Sequence, residues 1–167
     1  NKCIRNCPVF PSNSAVENNK VNVVLDACID CGECIDVCTH NAREYTDDTK
    51  EFFDAVKNGQ KITVVIAPAF IANYPTQYKR ILGYLKELGV SHIYSVSFGA
   101  DICTWGYLKY FEKTGKKGMI SSPCPAVVDY IEKYRKELIE YMMPVYSPVM
   151  CMAKYLKKYE HITEKIA

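Results

Sequence analysis

Apolar and polar positions alternate with two different periods along the second half of the chain. The run KITVVIAPAF (61–70) is almost continuously apolar, which is typical of a strand buried on both faces. In PTQYKRILGYLKELG (75–89), apolar residues recur every three to four positions, so this segment predicts an amphipathic helix. A second strand, HIYSVSF (92–98), and a second helix, GADICTWGYLKYFEKTGKKG (99–118), follow. Because the second helix is apolar nearly all round, we expect it to be buried.

The remaining residues continue this alternation. GMISS (118–122) predicts a short third strand, PAVVDYIEKYRKELI (125–139) a helix, and SPVMCMAKYLKKY (147–159) a last helix with Ser147 as its cap. Strands and helices in strict succession predict a parallel sheet with right-handed crossovers and helices packed on it. We therefore assign residues 60–167 to the α/β class.

The first 46 residues differ in composition, because they are rich in cysteine and carry only short periodic segments such as VNVVL (21–25). They predict a small α+β module. Residues 47–59 then predict a helical connector, which Asp47 or Asp48 can cap and Gly59 can close. The predicted domains are thus a cysteine-rich module over 1–46, a connector over 47–59 and an α/β lobe over 60–167.

Composition excludes several classes of function. Hydrophobic residues make up 49% of the 167, and the formal net charge is only +2, so no strongly charged surface indicates nucleic acid. The longest apolar run, ITVVIAPAFIA, is too short to span a bilayer. We therefore expect neither nucleic acid nor a membrane as a partner. Nine cysteines, four of them within residues 28–38, favour a metal-binding protein of the reducing cytoplasm over a disulfide framework.

Cysteine spacing predicts the chemistry of the first module. Residues 28–38 follow the pattern C-x2-C-x2-C-x3-C of bacterial ferredoxins, in which three thiolates hold one 4Fe–4S cluster and the fourth ligates another. The segment CIRNC (3–7) repeats the end of that pattern. We predict a first cluster on Cys7, Cys28, Cys31 and Cys34, and a second cluster on Cys3 and Cys38. Because the second cluster would lack two thiolates, we expect the chain to be incomplete at its N-terminus.

Structural zinc is an alternative to clusters. Cys28, Cys31, Cys34 and Cys38 could supply four thiolates in a tetrahedron. We favour clusters because zinc ribbons usually pair two separate C-x2-C knuckles.

Cys124 is a further candidate metal ligand. It stands between the predicted third strand and a helix that starts with Pro125, where the helix dipole and free N–H groups favour a thiolate. That place is also the carboxyl edge of the predicted sheet, where α/β proteins bind ligands. A small buried apolar residue fits the same spacing, so both interpretations stay open. Cys103 and Cys151 lie inside predicted helices, and we expect ordinary core thiols there.

The order of these features resembles the large subunit of FeFe-hydrogenases. The resemblance covers nearly the whole chain, and its segments are the two cysteine runs, IAPAF, SFGADICTWGYLKYF and SSPCPAVVDYIEKY. SSPCP is similar to the family's first H-cluster motif, usually Thr-Ser-Cys-Cys-Pro, which implies that Cys124 holds the 4Fe–4S part of the H-cluster. Pro123 replaces the cysteine that relays protons in the family, and this departure resembles divergent, sensory-like members.

Two later motifs of that family, Met-Pro-Cys and Cys-x3-Cys, do not follow Cys124 in this sequence. The resemblance therefore implies a chain that is also incomplete at its C-terminus and that supplies one H-cluster thiolate of four. It implies no catalytic residue in this chain alone, and an H-cluster only in the full-length parent. The implied partners are a redox protein such as a ferredoxin and the missing C-terminal part of the chain.

Two functional hypotheses follow. In the first, the chain is an electron-relay module fused to part of a hydrogenase-like domain, and its parent oxidises hydrogen or reduces protons. In the second, it is a non-catalytic module that senses hydrogen or redox state, which Pro123 favours. A structural zinc protein is the minor third hypothesis.

Overall fold

The computed structural model describes residues 2–13, 15–17 and 20–167. Its α-helices are α1 (Lys2–Arg5), α2 (Glu33–Asp36), α3 (Thr49–Lys57), α4 (Ala69–Asn73), α5 (Tyr78–Glu87), α6 (Ser97–Thr114), α7 (Pro125–Tyr134) and α8 (Pro148–Tyr159). Its strands are β1 (Ala15–Glu17), β2 (Lys20–Asn22), β3 (Ile62–Ile66), β4 (His92–Ser95) and β5 (Lys165–Ile166). Short 3-10 helices span Phe10–Asn13, Leu25–Ala27 and Lys136–Tyr141.

The chain divides into two compact units, and each unit joins two stretches that are distant in sequence. The smaller unit comprises Asn1–Thr46 with Gly118–Met143, and the larger comprises Asp47–Lys117 with Pro144–Ala167. The predicted domain boundaries near residues 46 and 59 follow composition along the chain, and they stay a prediction.

A parallel sheet of three strands organises the larger unit. The strand order is β4–β3–β5. Ile62 of β3 pairs with Lys165, and Ile66 at the other end of β3 pairs with Ser95 of β4. β3 therefore lies between two parallel neighbours, as its apolar run indicates. Together with the flanking helices, this sheet confirms the predicted α/β class.

The core of the larger unit forms where α8 packs on the sheet. Met152 and Leu156, one turn apart on α8, are buried together with Ile162. Val65 of β3 and Tyr94 of β4 pack against this cluster. The amphipathic pattern of the last helix is thus satisfied by the sheet face.

Side-chain caps set the start of two helices in the larger unit. The Thr49 N–H at the start of α3 donates to the Asp47 carboxylate at 2.9 Å. The Met150 N–H in the first turn of α8 donates to Ser147 Oγ at 3.4 Å. Both predicted caps are therefore formed. α3 ends before Gly59, whose φ of 71° lies in the left-handed region that favours glycine.

The predicted third strand, GMISS, is not part of the sheet. Ile120 forms an isolated parallel bridge with Met142 in the smaller unit. Its N–H donates to the Tyr141 carbonyl at 2.7 Å, and its own carbonyl accepts the Met143 N–H at 2.8 Å. The third strand is instead β5, whose two residues are too few to give a periodic pattern.

The prediction that α6 is buried all round is wrong. Its packed side approaches α8 closely at Gly99, and Cys103 one turn further is 3% exposed. Trp105 and Leu108, in contrast, are each 62% exposed. An evenly apolar sequence does not distinguish a helix covered on one side from a helix covered on all sides. Within the described residues, no helix combines the length and apolarity that crossing a bilayer requires.

The smaller unit is built from short elements. β1 and β2 form an antiparallel pair in which Val16 lies opposite Val21. α1 lies beside α2, and the 3-10 helix Phe10–Asn13 lies beside Leu25–Ala27. The Val24 N–H donates to the Ser12 carbonyl at 2.7 Å. The chain around residues 3–13 is thereby fixed next to the chain around residues 24–34.

We predict that Gly99→Ala destabilises the larger unit. A Cβ at this position would lie 2.2 Å from the Pro148 carbonyl oxygen and 2.8 Å from Met152 Cβ. Overpacking of this kind costs about 1–3 kcal/mol. Denaturant unfolding should show a lower midpoint with an unchanged slope.

Gly83 in α5 is the matched control, because a Cβ there would meet nothing within 4 Å. Gly83→Ala should be neutral or should stabilise the unit by up to about 1 kcal/mol. Equal destabilisation by both substitutions would contradict the close approach of α6 and α8.

Candidate metal centre

The loop that carries three of the cysteines is shaped by two residues with left-handed backbone. Asp30 has a φ of 53°, and Gly32 has a φ of 80°. Gly32 directly precedes α2, and its carbonyl accepts the Ile35 N–H at 2.8 Å. The chain therefore reverses between Cys28 and Cys31 and enters α2 with Cys34 in the first turn. A loop of this kind can direct several thiols toward one centre.

Four of the predicted ligands line one small cavity of the smaller unit. They are Cys7, Cys28, Cys31 and Cys34, which are the residues predicted for the first cluster. Val9, Ser12 and Ile29, which are buried, also line the cavity. The volume is about 20 Å³, and the Cys7 thiol points to the Val9 carbonyl at 3.0 Å. The cavity would have to widen to admit a cluster, while the donor set itself is the one a cluster requires.

Cys3 and Cys38 line a second and larger cavity of about 910 Å³. Its walls come from α1, from β2 and from residues 37–43. The other four cysteines of the module do not line it. The structure therefore divides the six cysteines into a set of four and a set of two, in the same way as the spacing does. The ligand assignment itself stays a prediction.

Backbone N–H groups point at the sulfur atoms in both cavities. The Asp30 N–H donates to Cys28 Sγ, and the Ala42 N–H donates to Cys38 Sγ, each at 3.4 Å. The Ala42 bond, with help from His40, lowers the pKa of Cys38. Burial raises the pKa of Cys28, although the Asp30 N–H acts in the opposite direction. Cys38 is therefore the more readily ionised of these two thiols. Its thiolate, which is the form that binds metals, is the easier of the two to form.

Arg43 connects Cys3 of the larger cavity with Asn13, which lines the four-cysteine cavity. Its guanidinium lies 3.5 Å from Cys3 Sγ and donates to Asn13 Oδ1 at 2.7 Å. Asn13 is only 2% exposed, and its amide donates to the Cys3 carbonyl at 3.2 Å. Arg43 thus places a positive charge beside a predicted ligand and satisfies a buried amide. The spacing of cysteines carries no signal for either role.

The end of α7 holds the cysteine loop through hydrogen bonds. The sequence does not reveal these bonds either. The Tyr134 hydroxyl donates to the Ala27 carbonyl at 2.6 Å, and the Lys133 ammonium donates to the Cys28 carbonyl. Both partners lie more than a hundred residues away in sequence. The sequence indicates these contacts only through the amphipathic pattern of the helix, which places Tyr134 on its inner face.

Cys124 occupies the predicted position at the start of a helix. It is the N-cap residue of α7, Pro125 is the first helical residue, and the Val128 N–H donates to the Cys124 carbonyl at 3.2 Å. The thiol is exposed, so the alternative of a buried apolar residue is wrong. The predicted position at a sheet edge depended on the third strand at GMISS, which is not formed, and that part of the prediction is also wrong.

Cys103 and Cys151 are buried core thiols, as expected. They belong to α6 and α8, and the Cys151 thiol donates to the Tyr146 carbonyl at 3.4 Å. Burial raises the pKa of Cys151, and the neighbouring Cys103 adds to this effect. All nine cysteines of the chain are free, so none is in a disulfide.

The four thiols of the zinc alternative do not all line one cavity. Cys38 lines a different cavity from Cys28, Cys31 and Cys34. Among the residues that the structure describes, no three His, Cys, Asp or Glu side chains form a group that could hold a single metal ion. A zinc site needs four such atoms within about 2.0–2.3 Å of one centre.

Comparison with known proteins separates the same two parts of the sequence. Residues 60–167 match the family described as the iron only hydrogenase large subunit, C-terminal domain. Residues 1–39 match the family described as the 4Fe-4S dicluster domain.

Individual relatives match most of the chain at low identity. The nuclear prelamin A recognition factor of Xenopus laevis is 22% identical over 165 residues, which are 84% of this chain and 36% of the relative. A probable cytosolic Fe-S cluster assembly factor of Drosophila erecta is 24% identical, and the match covers 83% of this chain and 34% of the relative. An NADP-reducing hydrogenase subunit of Solidesulfovibrio fructosivorans is 22% identical, and the match covers 84% of this chain and 27% of the relative. The chain therefore spans about a third of the length of these relatives.

We predict that Arg43→Met destabilises the smaller unit. The substitution removes the guanidinium that donates to Asn13 Oδ1 at a nearly inaccessible position. A buried polar group that loses its partner costs about 1–3 kcal/mol. Denaturant unfolding followed by circular dichroism would measure this loss.

Arg135→Met is the control in the same unit. Arg135 pairs with Glu137 at 2.5 Å, but both side chains are about half exposed, so water replaces the lost contact. The midpoint should stay nearly unchanged. If Arg43→Met left the midpoint equally unchanged, the hydrogen bond from Arg43 to Asn13 would not stabilise the smaller unit.

Proposed function

The chain belongs to the iron-only hydrogenase large-subunit family, and on that premise we propose that it is a non-catalytic iron–sulfur protein that relays electrons. It is an iron–sulfur protein with a hydrogenase-like domain. The observation that carries the proposal is the division of six cysteines into four around one cavity and two around another. A 4Fe–4S cluster needs four thiolates, so this division gives one complete set and half of a second.

A bound 4Fe–4S cluster supplies one-electron transfer, and the residues of the chain hold it and adjust its environment. The N–H groups of Asp30 and Ala42 would stabilise negative charge on the sulfur atoms. Val9 and Ile29, both buried, would keep water from one face of the first site. The first site would use Cys7, Cys28, Cys31 and Cys34, and Cys3 with Cys38 would supply half of the second.

Two observations support a role without hydrogen turnover. Pro123 stands where the family motif has a cysteine, and its side chain has no proton to transfer. One relative is named as an Fe-S cluster assembly factor and another as a recognition factor. Cys124, exposed at the start of α7, would be the single thiolate of this chain toward an H-cluster in a full-length parent.

We place this protein in a reducing, oxygen-poor cytoplasm. Its nine free thiols support that setting, and one relative is named as cytosolic. The proposed partners are a redox protein such as a ferredoxin and the remaining part of the hydrogenase-like domain.

A second candidate function is electron supply to hydrogen chemistry in the full-length parent. The observation that favours it is the similarity to an NADP-reducing hydrogenase subunit. Hydrogen evolution from a reduced viologen by the full-length protein distinguishes the two candidates. Our proposal expects background evolution with intact clusters, whereas turnover well above background would establish the second candidate.

Anaerobic purification and metal analysis test the iron–sulfur proposal directly. We expect a brown protein with iron and acid-labile sulfide in equal amounts and a paramagnetic signal after reduction. The physical reason is that four thiols line one cavity in the smaller unit. A colourless protein that holds one zinc would contradict the proposal.

Cys31→Ser should abolish the signal of one cluster, because Cys31 lies on the loop that lines the four-cysteine cavity. Iron and sulfide content and the reduced-state paramagnetic spectrum measure the loss. Cys103→Ala is the matched control, since it removes a thiol that is buried between helices of the larger unit. The control should keep its full iron content. Equal iron in the Cys31 variant and the unsubstituted protein would overturn the ligand assignment.

A further inference from the structure

We propose that Lys133, at the end of α7, is a positioning residue that raises the reduction potential of the first cluster from outside its ligand set. This inference rests on the proposed function, because the cluster is the one predicted on Cys7, Cys28, Cys31 and Cys34. It adds a side chain that no cysteine pattern indicates and the direction in which that side chain shifts the electron equilibrium.

The loop that carries three of the predicted ligands is acidic. Between residues 25 and 34 it contains Asp26, Asp30 and Glu33, and it contains no lysine or arginine. Among the described residues that line the four-cysteine cavity, Glu33 is the only one with a formal charge. A cluster held by four thiolates is itself negative, and accepting an electron adds to that charge. The loop alone therefore disfavours reduction, and a nearby cation would offset this effect.

The last turn of α7 brings a cation to this loop. The Lys133 ammonium donates to the carbonyl oxygen of Cys28, which is the first predicted ligand of the loop. The ammonium therefore lies beside the backbone of a ligand, although Lys133 itself does not line the cavity. Its charge acts through space and favours the more negative, reduced form of the cluster.

Neighbouring contacts fix the position of this ammonium. The Tyr134 hydroxyl donates to the Ala27 carbonyl at 2.6 Å, so two adjacent residues of α7 hold two adjacent carbonyls of the loop. One turn back on the helix, the Asp129 carboxylate lies 3.8 Å from Lys133 Nζ. Ile131 is 3% exposed and anchors the same helix in the smaller unit. Lys133 is therefore held at the loop and is not free to turn into solvent.

The two charges at the end of α7 are partly shielded from water. The side chains of Lys133 and Asp129 are 31% and 28% exposed, so water screens them less than it screens a pair at the open surface. Because the two charges are opposite, removing one or the other should shift the potential in opposite directions. A purely structural role of the helix end gives no reason for opposite signs.

Redox titration of the anaerobically reconstituted protein, followed by the paramagnetic signal of the reduced cluster, tests the role of Lys133. We expect Lys133→Met to favour the oxidised cluster by about tenfold, which is a fall in midpoint potential of about 59 mV for a one-electron couple. Lys133→Arg keeps the charge and should stay within about twofold of the unsubstituted protein. Asp129→Asn should favour reduction by about threefold, and it keeps the test valid if Lys133→Met does not retain its cluster.

Two control variants separate the local charge from other changes. Lys136→Met removes one positive charge from the exposed 3-10 helix that follows α7 in the same unit. Tyr134→Phe removes a neutral hydrogen bond to the loop. Each should alter the equilibrium by less than about threefold. Equal shifts in Lys136→Met and Lys133→Met would show that only total charge matters and would overturn the proposal, as would a fall in potential in Asp129→Asn.

Iron and sulfide analysis separates this inference from the proposed function. Full iron and sulfide with the same midpoint potential in Lys133→Met as in the unsubstituted protein would refute the role of Lys133 alone. An unsubstituted protein without iron would refute the proposed function, and with it the inference that rests on it.

Discussion

The smaller unit depends on one juxtaposition, in which the chain around Cys7 lies against the loop from Cys28 to Cys34. The bond from the Val24 N–H to the Ser12 carbonyl and the nearly inaccessible side chains of Ser12 and Asn13 hold these segments together. If this contact were lost, Cys7 could not complete a set of four thiols. The partition of the cysteines and the proposed clusters both follow from it.

The units of the fold are discontinuous, and this arrangement gives α7 its role. The helix belongs to the compact unit of the cysteine loop, where Tyr134 donates to the Ala27 carbonyl. The larger unit is closed in the same manner by α8 and β5, which return to β3 and to α6. In both units, a late stretch of the chain stabilises an early one. Truncation before α7 would therefore remove support from the predicted metal ligands as well as from the sheet.

Local patterns predicted what depends on neighbouring residues, and they failed where a distant contact decides. The apolar run of β3, the caps Asp47 and Ser147 and the start of α7 at Cys124 are local, and the structure agrees with each. GMISS has the composition of a strand, but its backbone bonds to residues 141–143, which no periodicity reveals. The role of Arg43 and the exposed face of α6 likewise depend on packing partners that are remote in sequence.

The central claim is that cysteines from two separate segments hold the same cluster. A crystal structure of the anaerobically reconstituted protein, with anomalous data at the iron edge, tests it most directly. The account predicts a four-iron centre bonded to the sulfur atoms of Cys7, Cys28, Cys31 and Cys34, with Cys38 outside it. Iron bonded to Cys38 in place of Cys7, or a single zinc on residues 28–38, would contradict the account.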